Sequence, residues 1–424
     1  MDRVYCFVQE IVCEGRVIVE SQAQIETETG GRGRRGLLVT GFVLNLLYAM
    51  YISGLGVLLP AVGQAFHLGI EVKARLFPAS FMGAVVGVLL AGSLSDRFGR
   101  KPVLLFSLVL YTLGLVCCGA AATFGLALLA APLIGAGSAG MQSVMNAALS
   151  DLFPERRAVV LNSMQVAFGV GAIVSPTLAQ QLLQAGADWR LLYFGLAAGV
   201  AAASVGLALL PMPRPADGVK APGMAALFSM LANPFVVALC LAQLLYAGAE
   251  VGFFSWMPTY FHDRLPGGAR WAGVIVSFFW VGMTLGRLGA GWLLSRCALV
   301  PLRRSLATAG AICATLTLVG TAPVTVMGWV FATGLCFGGI YSVILAEGSE
   351  RFPAVAGTVL GAISAAGNIG VALFPWAIGA LVSRGVDWRL ALTLPPLCAA
   401  GVALNALLLE ITRGRRHSVA AEKL

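Results

Sequence analysis

Residues 92–101 read GSLSDRFGRK. Four of the ten carry charge, Asp96, Arg97, Arg100 and Lys101, and the stretch stands between two long apolar runs. A charged decapeptide in that position is a tight loop between two membrane helices, held at the lipid–water boundary. Gly92 is expected to let a neighbouring helix approach closely. Asp96, ending one helix, is placed to accept hydrogen bonds from Arg97 or Arg100, and Gly99 permits the turn into the next helix. Arg100 and Lys101 hold the loop on the cytoplasmic side. Pro102 opens the following helix, where its missing N–H does no harm.

The composition agrees with that reading. The chain has 424 residues, 58% hydrophobic and 11% charged, with a mean hydropathy of +0.87. A soluble domain carries about 25% charge. The net charge of +9 lies in short loops and tails, so it sets topology and implies no nucleic-acid partner. None of the nine cysteines has metal-site spacing, and no disulfide, metal or cofactor is expected. An enzyme is not expected either, since no nucleophile–base pair or phosphate loop appears.

A span needs roughly 20 apolar residues to cross about 30 Å of hydrocarbon. Twelve segments qualify, near 37–60, 75–95, 102–122, 125–149, 158–183, 191–210, 235–258, 271–295, 304–322, 324–347, 356–383 and 390–410. The expected class is an all-α membrane protein of twelve transmembrane helices. Residues 1–36 form a poorly ordered tail without the apolar core of a secretory signal, and 411–424 a second tail. Residues 211–232, with PMPRPADGVKAPG, are the one long polar break and read as a linker between halves at 37–210 and 233–410. Of the 28 Lys and Arg residues, 20 lie in the tails and even-numbered loops and 7 in the odd-numbered ones. Both termini are therefore cytoplasmic, in a multi-pass protein of the inner or plasma membrane.

The halves repeat each other. Ser150, Phe153, Pro154, Pro176, Asp188, Trp189 and Arg190 recur 199 residues later as Ser349, Phe352, Pro353, Pro375, Asp387, Trp388 and Arg389. Gly92, Arg97 and Pro102 recur at the same shift as Gly291, Arg296 and Pro301. Two six-helix bundles follow, related as a parallel repeat, with a substrate site between them near the midplane.

Charged groups inside spans are rare and functional by default. Glu250, in span 7, lies about 12 Å deep at 1.5 Å per residue and is expected to couple an ion, H⁺ or Na⁺, or to accept substrate hydroxyls. Arg287, in span 8, lies at a different depth, on the order of 10 Å away along the normal. A direct pair between them is not expected; Glu347 in span 10 is the expected partner, and Arg287 and Glu347 are assigned a structural role. Polar stripes mark a cavity: Asn45 and Tyr48 in span 1, Gln142 and Asn146 in span 4, Asn162 and Gln165 in span 5, Gln243 with Glu250 in span 7, and Asn368 in span 11. These amides suit a polyhydroxylated ligand, and Trp256, Trp280 and Tyr341 offer rings to stack on a sugar face.

The loop at 92–101 resembles the signature between helices 2 and 3 of the major facilitator superfamily, Gly-x-x-x-Asp-Arg-x-Gly-Arg-Lys, and matches it throughout. The resemblance implies a secondary transporter working by alternating access, with Gly92, Asp96, Arg97, Gly99, Arg100 and Lys101 as its gating loop. Gly248-Ala-Glu250, Trp256-Met-Pro258-Thr-Tyr260, Phe279-Trp280, Gly286-Arg287, Gly367-Asn-Ile-Gly370 and Pro375 look like the fucose-permease-like sugar symporter branch. In that branch, acids of helices 1 and 4 serve proton coupling and recognition; here those helices offer Asn45, Gln142 and Asn146. The rival reading is an efflux antiporter, whose Gly-x-x-x-Gly-Pro-x-x-Gly-Gly appears as Gly171-Ala-Ile-Val-Ser-Pro176-Thr-Leu-Ala-Gln180. A third reading is a membrane receptor that moves nothing. The expected partners are a small-molecule substrate, a coupling ion and the lipid bilayer, with the chain a monomer.

The topology has a direct test. With native cysteines replaced, Pro215→Cys and Gly267→Cys are probed by an impermeant thiol reagent in intact cells. Only Gly267→Cys should label; labelling at Pro215→Cys alone reverses the orientation.

Overall fold

The computed structural model describes residues 2–153, 157–212, 232–265, 267–294, 296–352 and 356–421. The side chains of 2–32, 93, 96, 157–159, 162, 291, 292, 356–358 and 413–421 lie outside that description, as does most of the expected linker. Spans 1–6 are the helices Asp2–Ala65, Leu76–Phe98, Arg100–Gly119, Phe124–Leu152, Arg157–Gln184 and Arg190–Leu209. Spans 7–9 are Pro234–Arg264, Ala272–Leu294 and Leu299–Val319. Span 10 is Pro323–Phe337 continued by Ile340–Arg351, and spans 11 and 12 are Ala356–Ser383 and Leu394–Ala421. Among the described residues there is no strand.

Three boundaries depart from the expectations. The first helix begins at Asp2, so the N-terminal segment continues span 1 instead of forming a tail without order; extending an existing helix needs no new nucleus. Span 10 is interrupted at Gly338–Gly339. A side chain at Gly338 would run into the Met283 carbonyl and the Arg287 amide of span 8, so the break is where two backbones meet. Span 9 starts at Leu299, which takes Arg303 from the loop into the helix and moves Arg304 from its first residue into its second turn. Eleven of the described helices are long and apolar enough to cross a membrane; these two cations accompany the shortfall of the twelfth.

Small residues set the packing. Gly83 and Gly87 of span 2 lie against the backbone of Pro132 and Ala136 in span 4. Their counterparts 199 residues on, Gly282 and Gly286 of span 8, lie against Phe331 and Leu335 in span 10. Any side chain at these four positions would strike a carbonyl, and membrane helices gain their association from such close approach. The repeat is thus one of structure as well as of sequence. The cap repeats too: Arg190 N donates to Asp188 Oδ1 at 2.9 Å, and Arg389 N to Asp387 Oδ1 at 2.8 Å.

The two bundles meet along spans 1, 2 and 5 of the first half and 7, 11 and 8 of the second. Their contacts gather on the side away from the 92–101 loop, here the far side. Gln180 at the end of span 5 is buried. Its Oε1 accepts from the Gly273 and Val274 amides at the start of span 8, and its Nε2 donates to the carbonyls of Ala269 and Arg270. Down the same face, Thr177 and Ser277 share a hydrogen bond of 2.7 Å, Ser277 donates to the Ile173 carbonyl at 2.6 Å, and Gly169 abuts Thr284. The next residue of that face, Gln165, is exposed. The halves are sealed on the far side and part towards the side of the charged loop.

One buried network stiffens the second half only. Arg303 is fully buried and donates to Glu347 through Nε at 2.8 Å and Nη2 at 3.2 Å. Its Nη1 reaches Asn405 Oδ1 at 2.9 Å, and Asn405 donates to the Ala238 carbonyl. Spans 9, 10, 12 and 7 are tied together. At a shift of 199 the first half has Leu104, Ala148 and Gly206 instead. Glu347→Ala strands a buried guanidinium and should cost about 3–5 kcal/mol, read as a fall in unfolding midpoint in detergent. Replacing Arg303, Glu347 and Asn405 together by Leu, Ala and Gly should recover most of that loss. A triple variant no better than the single one contradicts the account.

Candidate substrate and coupling site

Glu250 stands near the middle of the helix Pro234–Arg264. Arg287 Nη2 lies 4.0 Å from Glu250 Oε1, and the two side chains keep 19% and 14% of their exposure. The expected Arg287–Glu347 partnership is therefore corrected: Glu347 belongs to Arg303, and Arg287 faces Glu250. The reason is direction. Side chains on a helix tilt towards its N-terminus, and spans 7 and 8 are antiparallel, so the two side chains lean towards each other and close a gap that Cα depths alone leave open.

Aromatic rings surround the pair. The Arg287 guanidinium sits over Phe168 of span 5 at 5.7 Å and over Trp280 of its own span at 5.8 Å. Phe168 and Trp280 are edge to face at 5.4 Å, and Tyr48 of span 1 packs on Phe168 at 5.9 Å. Arg287 thus rests between a ring from each half. Tyr246 and Tyr341 complete the electrostatic neighbourhood of the pair, and Tyr341 interacts with Tyr48 across the halves. Among the described residues, buried polar atoms without a hydrogen-bond partner collect here: Arg287 Nη1, Trp280 Nε1 and Gln243 Oε1. Such atoms are costly unless something completes them.

The remaining sequence candidates divide. Asn45 is buried, donates to the Met164 carbonyl and accepts from Gln142 Nε2 at 3.2 Å, so these two amides spend hydrogen bonds on joining spans 1, 4 and 5. Asn146 is half-buried in span 4, Asn368 half-buried in span 11, and Gln165 exposed; the Asn162 side chain lies outside the described residues. Gln243 is buried against Gly367. Trp256 is not at this site: it is fully buried on the far side, donates to the Pro375 carbonyl at 2.8 Å and packs on Phe77 and Trp388. Phe168 carried no sequence signal, being one apolar residue among many; only the fold sets it under Arg287. Over the Gln180 seal, Gln64, Asp188, Arg190, His262 and Arg270 help to line a far-side depression of about 750 Å³.

Residues 41–375 match the Major Facilitator Superfamily. The chain belongs to that superfamily. A cis,cis-muconate transport protein of Acinetobacter baylyi is 26% identical over 77% of this chain and 82% of its own length. In fold, the chain resembles a nucleoside transporter NupG variant, with a TM-score of 0.75 at 15% identity, 89% of this chain and 99% of the other being covered. It likewise resembles an E. coli fucose:proton symporter FucP variant, with a TM-score of 0.64 at 20% identity and coverage of 88% and 98%. This facilitator is a multi-pass integral membrane transporter of small solutes and not an enzyme.

In the facilitator's 92–101 loop, Gly99 has φ of +92°, a backbone that only glycine takes readily. Arg100 bonds Asp151 at the end of span 4 at 3.1 Å and Ser95 at 3.1 Å. Lys101 donates to the carbonyls of Ala208 and Leu210, closing the end of span 6. Arg97 is exposed over the Phe98 ring. The Asp96 side chain lies outside the described residues. Gly92 does not serve close approach here: among the described residues nothing stands within 4 Å of where its Cβ would be, because the halves have parted on this side.

Two tryptophans expected to act alike should separate. Trp280→Leu should weaken solute binding by about tenfold or more, as loss of a desolvated cation–π and ring platform implies, and, because the ring is buried, should lower the unfolding midpoint as well. Trp256→Phe, removing a bond to Pro375, should lower the midpoint and leave affinity unchanged. Titration and thermal unfolding of both purified variants read the difference; equal effects on affinity contradict the placement.

Proposed function

We propose that this facilitator is a secondary active transporter of a small polar solute, working by alternating access and coupled to protons at Glu250. The observation that carries the reading is the Glu250–Arg287 pair, loose and still partly exposed, at a depth where both halves contribute rings. Charged groups are expensive in a bilayer, and a pair held at 4.0 Å is not saturated. A solute that engages it changes its charge state, which is what coupling requires. The side bearing the 92–101 loop is the cytoplasmic side in this reading, so the halves open inward and are latched outward by Gln180.

Two solute classes have support. A sugar-like polyol suits Trp280 and Tyr341, two of the three rings expected to stack on it, with Tyr48 of the span 1 stripe nearby, and the resemblance of spans 7, 8 and 11 to sugar symporters. A small organic acid suits the guanidinium, and the relative named for cis,cis-muconate transport supports it.

Glu250→Gln holds the acid in its neutral form. In proteoliposomes it should lose accumulation driven by an imposed pH gradient while keeping exchange of labelled solute across the membrane. Retained accumulation that still collapses with a protonophore removes Glu250 from coupling. Loss of the folded protein assigns it to structure instead.

A further inference from the structure

We infer that the solute is a monocarboxylate with a flat unsaturated body, whose carboxylate takes the Arg287 guanidinium from Glu250 while Glu250 takes up the coupling proton. The inference rests on the preceding reading of the site and names its substrate class and stoichiometry. Three observations lead to it.

The first is a contrast between two Arg–Glu pairs in one half. Arg303 and Glu347 form a fork-to-fork pair at 2.8 and 3.2 Å, with side chains 0% and 2% exposed. That geometry satisfies both partners and is built to persist. Arg287 and Glu250 stand 4.0 Å apart with a single contact, and among the described residues Arg287 Nη1 is buried without a hydrogen-bond partner. A guanidinium has five donors in a rigid fork shaped for a carboxylate. This one has the fork largely unused.

The second is the set of rings. Tyr48, Phe168 and Trp280 form a continuous run with centroids 5.9 and 5.4 Å apart, and Arg287 lies over the last two. A carboxylate on Arg287 brings whatever it is attached to against those faces. A flat, polarisable, apolar body fits them. Two of the competing amides are engaged, since Asn45 and Gln142 are bonded to each other and Asn45 to the Met164 carbonyl.

The third is charge. Arg303 and Arg304 stand in the first two turns of span 9, so Arg287 is the cation set deepest in a span of the second half. The titratable and charged groups facing Glu250 are Arg287 from span 8, Tyr246 from its own helix and Tyr341 from span 10. With the tyrosines neutral, the empty site carries one positive and one negative charge and sums to zero. A bound monoanion with Glu250 still ionised sums to minus one, a net charge in the membrane interior that resists movement. One proton on Glu250 restores zero. Empty and fully loaded carriers are both neutral at the site and free to reorient; the half-loaded one is not. One proton therefore crosses with each monocarboxylate, and transport moves no net charge.

The test uses the purified full-length protein at pH 7.5. The carboxylates are the monoanions benzoate, 2,4-hexadienoate and cinnamate, set against benzamide, hexadienamide, fucose and xylose. The carboxylates should raise the unfolding midpoint and the amides and sugars should not. Calorimetry in two buffers of different ionisation heat should count one proton taken up per monoanion bound by the wild type and none by Glu250→Gln, with binding retained. Arg287→Gln should weaken carboxylate binding tenfold or more. If that variant does not fold, the charge-neutral pair Arg287→Gln with Glu250→Gln takes its place with the same expectation. Stabilisation by none of the three carboxylates, equal stabilisation by the amides, or one proton still taken up by Glu250→Gln each overturns the inference. Sugar binding with proton-driven uptake overturns it too but leaves the preceding reading standing. Carboxylate uptake that ignores an imposed pH gradient sinks that reading as well.

Discussion

A carboxylate and a guanidinium held 4.0 Å apart between two helix bundles is the interaction on which the rest of this molecule depends. At an effective dielectric near 20, unit charges at that distance attract by roughly 4 kcal/mol. Removing each from water costs several kcal/mol. The attraction offsets only part of the two penalties, so the pair is weakly held. That balance suits a group that must release its partner and take it back. A deeper, better-bonded pair would be a strut, as Arg303 and Glu347 are; a lone charge would pin the carrier in whichever state hydrates it.

The scaffold around the pair is asymmetric in a way the duplication makes visible. Both halves pack spans by the same glycines at a shift of 199. Only the second half carries Glu250, Arg287 and the Arg303–Glu347–Asn405 network. At the matching positions the first half has Tyr51 and Val88 for the pair, and Leu104, Ala148 and Gly206 for the network. Tyr51 bonds Ser80 at 2.8 Å and packs on Tyr111 and Tyr193, a neutral core. The first half is thus an uncharged wall with rings, Tyr48 and Phe168, turned to a second half that carries the charged pair.

The fold was legible in the residues because its signals are additive along the chain. Twelve apolar segments, a charged loop with a glycine at the turn, and one shift repeated from span 2 to span 12 each report on many residues at once. The site was legible in part. Glu250 and Arg287 stood out since charge inside a span is rare. Their partnership was hidden because counting depth by Cα ignores the tilt of the side chains, which in antiparallel neighbours converges. Glu347 found its partner in Arg303, which looked like a loop cation until span 9 began at Leu299. Trp256 looked like a sugar platform, but its indole N–H is engaged by Pro375, a contact no local pattern encodes. The N-terminal segment read as a tail from its polarity, and helix propagation from span 1 carried it otherwise.

Gln180 shows how a departure from a motif becomes physical. Where efflux antiporters of the superfamily end their helix 5 signature in glycine, this chain has an amide, and the amide caps the start of span 8 from the opposite half. Span 8 begins with backbone N–H groups that have no partner within the helix; Gly273 and Val274 give theirs to Gln180 Oε1. The seal on the far side is therefore made of the same bonds that finish a helix. Opening that side exchanges them for bonds to water, at a net cost near that of ordinary hydrogen bonds, about 1 kcal/mol each. A few such bonds hold the empty carrier closed on that side without trapping it. The balance resembles that of the pair below: both the gate and the site are held by interactions strong enough to choose a state and weak enough to leave it.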